Sequence, residues 1–296
     1  ADAYFMRRIE FHYKNILNAG YARSLGEDVY SGSYEQNEGF TSSNIYQCCH
    51  LSKIITSGLN KYTAGPANSV MFTVTAAGAS PLFTRELSAK FYNTQIIPQP
   101  SQVAPMPYYS YRRDTIRNLP LSVLPNVNQL AVSIGPRNSS DTTGNDRIVI
   151  SDFSVTYPAT FNFNNETNFY FELKAAAAGN YLVITNFNNN GLEPVLYDIT
   201  SGRRYLGNTE VAGQVRFVLP PSTDTLRRFN LMSAGTNNIY PVGQLTSKTF
   251  TNFANAANQG NYIIISNPRL YDNGSGVNYV EQYRQYRSSV EGGSYN

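Results

Sequence analysis

The sequence predicts a mainly β protein, with two β-sandwich-like units followed by the first β-α unit of a truncated α/β domain. Three observations lead to it. Short segments alternate apolar and polar residues between turn-forming clusters, as half-buried strands of a sandwich do. Charged residues are only 15% of the chain, while Tyr alone numbers 23, a balance that suits sheets joined by polar turns. Near the end, Asn261 to Ser266 is a continuous apolar run, followed by a turn at Asn267-Pro268-Arg269 and a helix-like stretch from Gly276 to Val290. A continuous apolar run suits a strand buried on both faces. One β-α pair cannot complete a parallel sheet, so the chain reads as the β-rich front of a larger protein.

The elements follow in order. Phe5, Ile9, Phe11 and Tyr13 share one face of a strand, while Met6, Arg8, Glu10, His12 and Lys14 share the other. A polar loop runs to Phe40. Further strands are expected at Ile45 to Ile55, Val70 to Ala76 and Leu87 to Phe91. Ile97 to Pro107 carries four prolines and reads as a loop or edge excursion. Leu119 to Leu124, Gln129 to Ile134 and Ile148 to Tyr157 are the next strands, the last two joined by a polar hairpin-type connection. Pro158 to Asn168 marks a seam. Beyond it, strands are expected at Phe169 to Leu173, Tyr181 to Phe187, Val195 to Ile199, Val215 to Leu219 and Phe229 to Met232.

The expected organisation is therefore a jelly-roll-like β-sandwich over 1–160 and a smaller β-sandwich over 161–250. Residues 251–296 form a linker plus the first strand and helix of an α/β domain. On that helix Tyr279, Tyr283, Tyr286 and Val290 form one stripe, and Glu281 and Arg284 pair at i, i+3. Without its sheet, this unit must pack on the second β unit, pair with another copy of the chain, or expose an apolar patch.

Several chemistries are disfavoured. The net charge of +3 is small and spread, which argues against a nucleic-acid surface. No segment has the apolar length of a membrane helix. No phosphate loop, dinucleotide fingerprint or serine-nucleophile elbow is present, and no cofactor is implied.

The histidines are His12 and His50. His12 sits on the polar phase of its strand and reads as solvated rather than as a base. The cysteines are the neighbours Cys48 and Cys49, which rarely meet disulfide geometry. If the segment is a strand, Cys48 and His50 share a face. Two ligands are too few for structural zinc, and a thiolate there lacks a group to orient its base. Cys48 and Cys49 therefore read as packed thiols and His50 as an ordinary polar neighbour.

Glu27-Asp28 could hold a cation or accept hydrogen bonds in its loop, and Asp141, Asp146 and Asp152 flank a hairpin. Asp272 to Gly276 resembles half of a calcium loop but lacks its spacing and terminal Glu, so it reads as a turn into an N-cap at Ser275. Tyr108, Tyr109 and Tyr111, beside Arg112 and Arg113, could bind a glycan or partner chain; ordinary packing of large β-formers is the simpler reading. No catalytic, cofactor-binding or metal residue is assigned.

Three stretches, in order, carry a family resemblance. Tyr13 to Leu17 through Leu25 to Tyr30 resembles the "D-x-x-N…S-G-x-x-W-x-G-E-x-F" segment that precedes the catalytic domain of PorU-type sortases, with Ser24 or Leu25 in place of its Trp. These are gingipain-like cysteine peptidases of the type IX secretion system. Arg147 to Pro158 resembles their "DYI-x-I-x-YPR" strand, and Pro194 to Thr200 their "V-x-x-W-D-V-T" strand. Tyr197 replaces the Trp of the last motif, and Ala159 stands where Arg is usual.

The resemblance implies that Tyr262 to Ser266 begins the α/β peptidase domain. The family's catalytic His and Cys lie inside that domain and map onto none of His12, His50, Cys48 or Cys49. The implied role is a non-catalytic scaffold or substrate-orienting region of a secreted or surface-associated peptidase. Its implied partners are protein substrates or secretion-system proteins, and self-association through the unfinished C-terminal unit is a further expectation. The alternative is a stand-alone cell-surface adhesin or glycan-binding module. A complete enzyme using Cys48 and His50 is the least favoured reading.

Overall fold

A computed structural model of the chain describes residues 1–14, 16–17, 21–24, 27–30, 39–56, 58–80, 83–99, 104–108, 110–127, 129–271 and 274–296. Two compact units result, 1–240 and 241–296. In the first, the strands in chain order begin with β1 (Phe5–His12), β2 (Ile16–Leu17), β3 (Tyr21–Ser24), β4 (Glu27–Tyr30), β5 (Phe40–Thr41), β6 (Ile45–Tyr46) and β7 (Leu51–Ile55). Next come β8 (Val70–Gly78), β9 (Glu86–Phe91), β10 (Thr94–Ile97), β11 (Tyr111–Leu119), β12 (Leu130–Arg137) and β13 (Arg147–Ala159). The remainder are β14 (Asn162–Glu166), β15 (Asn168–Lys174), β16 (Asn180–Phe187), β17 (Pro194–Asp198), β18 (Arg203–Leu206), β19 (Gln214–Leu219) and β20 (Leu226–Ser233).

The mainly β class holds. One long sheet runs β11-β8-β13-β1-β15-β20-β17-β18, with β6 added beside β13. Two smaller sheets, β10-β9-β12-β7 and β14-β16-β19, supply the opposing strands. Phe72 of β8 meets Phe91 of β9 edge-on at 5.3 Å, and Phe163 of β14 stacks on Phe169 of β15 at 3.9 Å. The boundary expected at 160/161 falls between β13 and β14, and the long sheet continues across it because β1 lies between β13 and β15. The seam at Pro158 to Asn168 is where the chain leaves the long sheet for β14 and returns to it as β15.

The alternation of β1 is realised. Phe5 is buried, and Ile9, Phe11 and Tyr13 pack against the core. Phe5 touches Phe161, Phe163, Phe169 and Phe171, with ring centroids between 5.2 and 6.1 Å. One side chain of the first strand thus joins aromatic residues of both sheet layers.

Three expectations change. The strand expected over Ile45 to Ile55 is broken by a turn at Gln47 and Cys48, and its pieces join different sheets: β6 pairs with β13, β7 with β12. Leu119 to Leu124 is largely a 3₁₀ turn at Leu121–Val123 after Pro120, since proline fixes the backbone and lacks a donor. The segment before it, with three arginines, forms the edge strand β11, where Arg113 and Arg117 stay exposed to solvent.

In the second unit, residues 262–266 pair with no strand among the described residues, and Ile263 and Ile265 are 81% and 94% exposed. An apolar run becomes a strand only where a sheet offers hydrogen-bond partners. The helix α1 (Tyr279–Ser288) does form, but Asn278, not Ser275, caps it by accepting from the Glu281 N–H at 2.9 Å. The Glu281–Arg284 pair is present at 2.6 Å. Tyr279, Tyr283, Tyr286 and Val290 are all exposed. The Arg287 guanidinium lies over the rings of both Tyr262 and Tyr295, at 4.7 and 4.5 Å.

Phe5→Ala removes the ring shared by four other phenylalanines. Urea unfolding of the variant should show a loss of about 3–5 kcal/mol, the usual cost of truncating a core phenylalanine.

Candidate functional site

The cysteine segment is the first candidate. The turn between β6 and β7 carries Cys48 and Cys49, and their sulfurs are bonded to each other. Both residues are exposed, which corrects the reading of packed thiols. A turn, unlike a flat strand, brings the two side chains together. His50 is exposed beside them and precedes β7. The protein packed against its ring, and secondarily Lys90, hold its pKa below 6.5. Gly135 of β12 lets the segment approach, since a Cβ there would meet the Cys49 carbonyl oxygen at 2.5 Å. With the sulfurs bonded to each other, neither is a thiolate beside His50.

His12 is half-buried on the outward face of β1, directly opposite Asp152 of β13. Asp152 accepts from Thr75 Oγ1 at 3.2 Å. The other hairpin acids serve a different purpose. Asp146 is fully buried and receives Arg85 Nε at 2.7 and 2.8 Å, with Ser139 Oγ donating at 2.6 Å. Arg85 also donates to the carbonyls of Met106 and Tyr108, at 2.8 and 2.6 Å. Asp141 accepts from Thr143 N, Thr143 Oγ1 and Asp146 N, at 2.7, 2.6 and 2.6 Å. Burial pushes the Asp141 carboxyl up, but these hydrogen bonds outweigh it and hold the pKa below 3.8. The cluster braces the hairpin internally. Among the described residues, no three of His, Cys, Asp and Glu converge as metal ligands would.

Tyr108 is 51% exposed, Tyr111 opens β11 and Tyr109 lies outside the described residues. Arg112 is tied to Asp114 at 2.5 Å and to the Pro105 carbonyl at 2.9 Å. It is therefore engaged locally. Glu27 and Asp28 belong to β4, which pairs with β3. Asp272 and Asn273 lie outside the described residues.

Sequence reasoning missed three buried arginines. Arg227 of β20 bonds Asp198 of β17 through Nη2 at 2.6 Å and Nε at 3.2 Å. Burial raises the Asp198 pKa, but bonds from Arg227 and Ser201 outweigh this and hold it below 3.8. Arg7 of β1 donates to the Gly58 and Leu59 carbonyls and lies 5.5 Å from the Phe169 ring. The available signal was phase. Arg7, Arg85 and Arg227 each stand two residues from buried Phe5, Leu87 and Phe229 on the inward side. Next to Arg7, Tyr157 is completely buried, with its hydroxyl donating to the Leu59 carbonyl at 2.9 Å. Burial pushes this hydroxyl up to about 12, against the opposing pull of Arg7.

No family model and no curated protein matches the chain. Among solved structures, it is similar to dimeric latent PorU from Porphyromonas gingivalis at 13% identity and a TM-score of 0.48. That alignment covers 78% of this chain and 20% of PorU, so the chain spans about a fifth of that protein. The glycoside hydrolase domain of Endo-D from Streptococcus pneumoniae R6 aligns at 10% identity and a TM-score of 0.20, covering 73% of this chain and 31% of that one. The STIV MCP aligns at 8% identity and a TM-score of 0.16, covering 64% and 94%. At these identities and scores, none of them carries a function to this chain.

Two outcomes are expected. Iodoacetamide should leave the native protein unmodified, and after dithiothreitol should add two adducts by intact mass, because both cysteines are exposed. Labelling without reductant would contradict the disulfide. For Tyr157, a folded-state pKa above the ordinary 10.0 means that stabilisation is complete below pH 10 and lost as pH rises towards about 12. The urea midpoint should fall across that window, and less steeply in Tyr157→Phe.

Proposed function

We propose that this chain is a non-catalytic region of a gingipain-like cysteine peptidase of the sortase type. In this reading, its sheets support and orient the peptidase domain and present surfaces to protein substrates. The parent would act at the cell surface or outside the cell, transferring or hydrolysing a peptide acyl group through a cysteine thioester. The observation that carries the proposal is the ordered set of three motif-like segments. One of them, Arg147 to Pro158, occupies β13, which pairs with β1, β8 and β6. Another, Pro194 to Thr200, occupies β17 and the Asp198-stabilised turn after it, where the Thr200 and Ser201 N–H groups donate to Asp198 at 3.1 and 3.2 Å. The first segment lies partly outside the described residues.

The chemistry of the cysteine turn supports a supporting role. A cysteine peptidase needs a thiolate held beside an oriented base. Here the candidate sulfurs are bonded to each other beside an exposed histidine.

The test is enzymatic and genetic together. The purified chain should not cleave a fluorogenic peptide library, with or without thiol. Its reading frame should continue beyond Asn296 into a His-Gly motif and a downstream catalytic-type Cys. Thiol-dependent cleavage by the chain itself, or a frame lacking those residues, would overturn the proposal.

A further inference from the structure

The long sheet and the three-stranded sheet each end on an open edge, and the two edges face each other. β18 is the last strand of one, β19 the last of the other. The chain just after β18 is joined to β19 at one antiparallel bridge, where the Asn208 N–H donates to the Arg216 carbonyl at 3.0 Å and the Arg216 N–H to the Asn208 carbonyl at 2.9 Å. Beyond that bridge they part. A groove of about 510 Å³ opens on one side, lined by Tyr181, Arg204, Leu206, Arg216 and Val218 among others. A second cavity of about 360 Å³ continues the gap between Arg203 and Tyr205 on one side and Pro220 and Pro221 on the other.

The backbone phase of both edges follows from these bonds. Alternate residues of an antiparallel strand direct their N–H and C=O groups to opposite neighbours. Gly207 bonds inward to Pro194 of β17 at 2.9 Å, so Leu206 and Arg204 direct their backbone groups into the groove. Arg216 bonds outward to Asn208, so Val218 does the same from the other wall. A strand placed in the gap would therefore find backbone partners on both sides.

The side chains say what kind of strand. Leu206, Val218 and Tyr181 are 58%, 78% and 38% exposed around the groove, and Val218 pairs directly with Tyr181. Arg204 stands two residues from Leu206, on the same face. Arg204 and Arg216 line the groove with one carboxylate, Glu210, which already accepts from Asn208 Nδ2 at 3.0 Å; Arg216 donates to Gln214 Oε1, and Arg203 lines the second cavity. Among the described residues, neither Arg203 nor Arg204 joins an ion pair. Charged residues on an edge can serve only to repel other strands. Here they flank an apolar, two-walled slot, with an excess of positive charge.

We infer that the gap between β18 and β19 is a docking slot for an extended acidic segment of another polypeptide, bound as an added strand. Its outward residues alternate between an apolar side chain beside Leu206 and Val218 and a carboxylate beside Arg204. Main-chain bonds supply affinity, and the alternate side chains supply selectivity. The inference does not depend on the peptidase reading.

The test uses the full 296-residue chain and a fluorescein-labelled octapeptide, Thr-Val-Thr-Glu-Thr-Val-Thr-Glu, read by fluorescence anisotropy. Saturable binding is expected. N-methylation of alternate backbone amides, or replacement of Glu by Lys, should weaken it at least about tenfold. Arg204→Glu should weaken the acidic peptide similarly and strengthen the lysine peptide, with circular dichroism confirming the fold. If that variant does not fold, the peptide variants against the unmodified chain decide alone. Absence of saturable binding, or equal binding of the N-methylated peptide, would overturn the proposal. So would a concentration-dependent dimer abolished by Val218→Lys, which would make a second copy the occupant.

Discussion

Pairing of the first strand holds the larger unit together. β1 matches β13 residue by residue from Phe5 opposite Ala159 to His12 opposite Asp152, and its start also pairs with β15 through Met6 and Glu172. Remove it, and the long sheet falls into two pieces, one on each side of residue 160. Its inward side chains serve both pieces. Phe5 reaches Phe169 and Phe171 on β15 and Phe163 on the facing sheet, while Phe11 stacks on Phe153 of β13. A contact between residues more than 140 positions apart closes early only at a high entropic cost. The aromatic cluster offsets that cost once it forms.

Around this spine, buried arginines do the joining that hydrophobic contact cannot. Arg85 collects the Asp146 carboxylate and the carbonyls of Met106 and Tyr108, tying a hairpin and a proline-rich excursion to the base of β9. Arg227 fixes the turn after β17 through Asp198 and the Pro220 carbonyl. Irregular backbone near a core leaves carbonyls without strand partners, and a guanidinium with five donors satisfies several at once. Removing one partner of such a pair would strand the other in a low-dielectric interior, so breaking a pair costs more than the intact pair adds in net stability.

Among the described residues, the candidate reactive groups are engaged with one another or with nearby chain. The sulfurs are bonded to each other, Asp141 and Asp146 are engaged by hydrogen bonds within their hairpin, and His12 stands opposite Asp152 in the β1–β13 pair. What the surface offers instead is backbone and edge. The slot between β18 and β19 and the exposed apolar run of the second unit are both places where chain could add to chain.

Much of this was legible in the sequence because strand alternation is a local property. The mainly β class, the inward face of β1, and strands such as β8, β9 and β16 follow from side chains that point alternately to two sides. The Glu281–Arg284 pair follows equally from helix spacing. Tertiary structure decided the rest. Which sheet a strand joins is set by long-range pairing, so the break at Gln47 and Cys48, the continuity of the sheet past residue 160 and the bonding of Cys48 to Cys49 could not be read locally. The unpaired state of 262–266 is the converse: its apolar residues satisfy the local pattern for a strand, but a strand is completed only by a neighbour. Arg7, Arg85 and Arg227 lie between these limits. Their inward phase was visible, but whether an inward arginine is tolerated depends on a carboxylate or carbonyl arriving from distant chain.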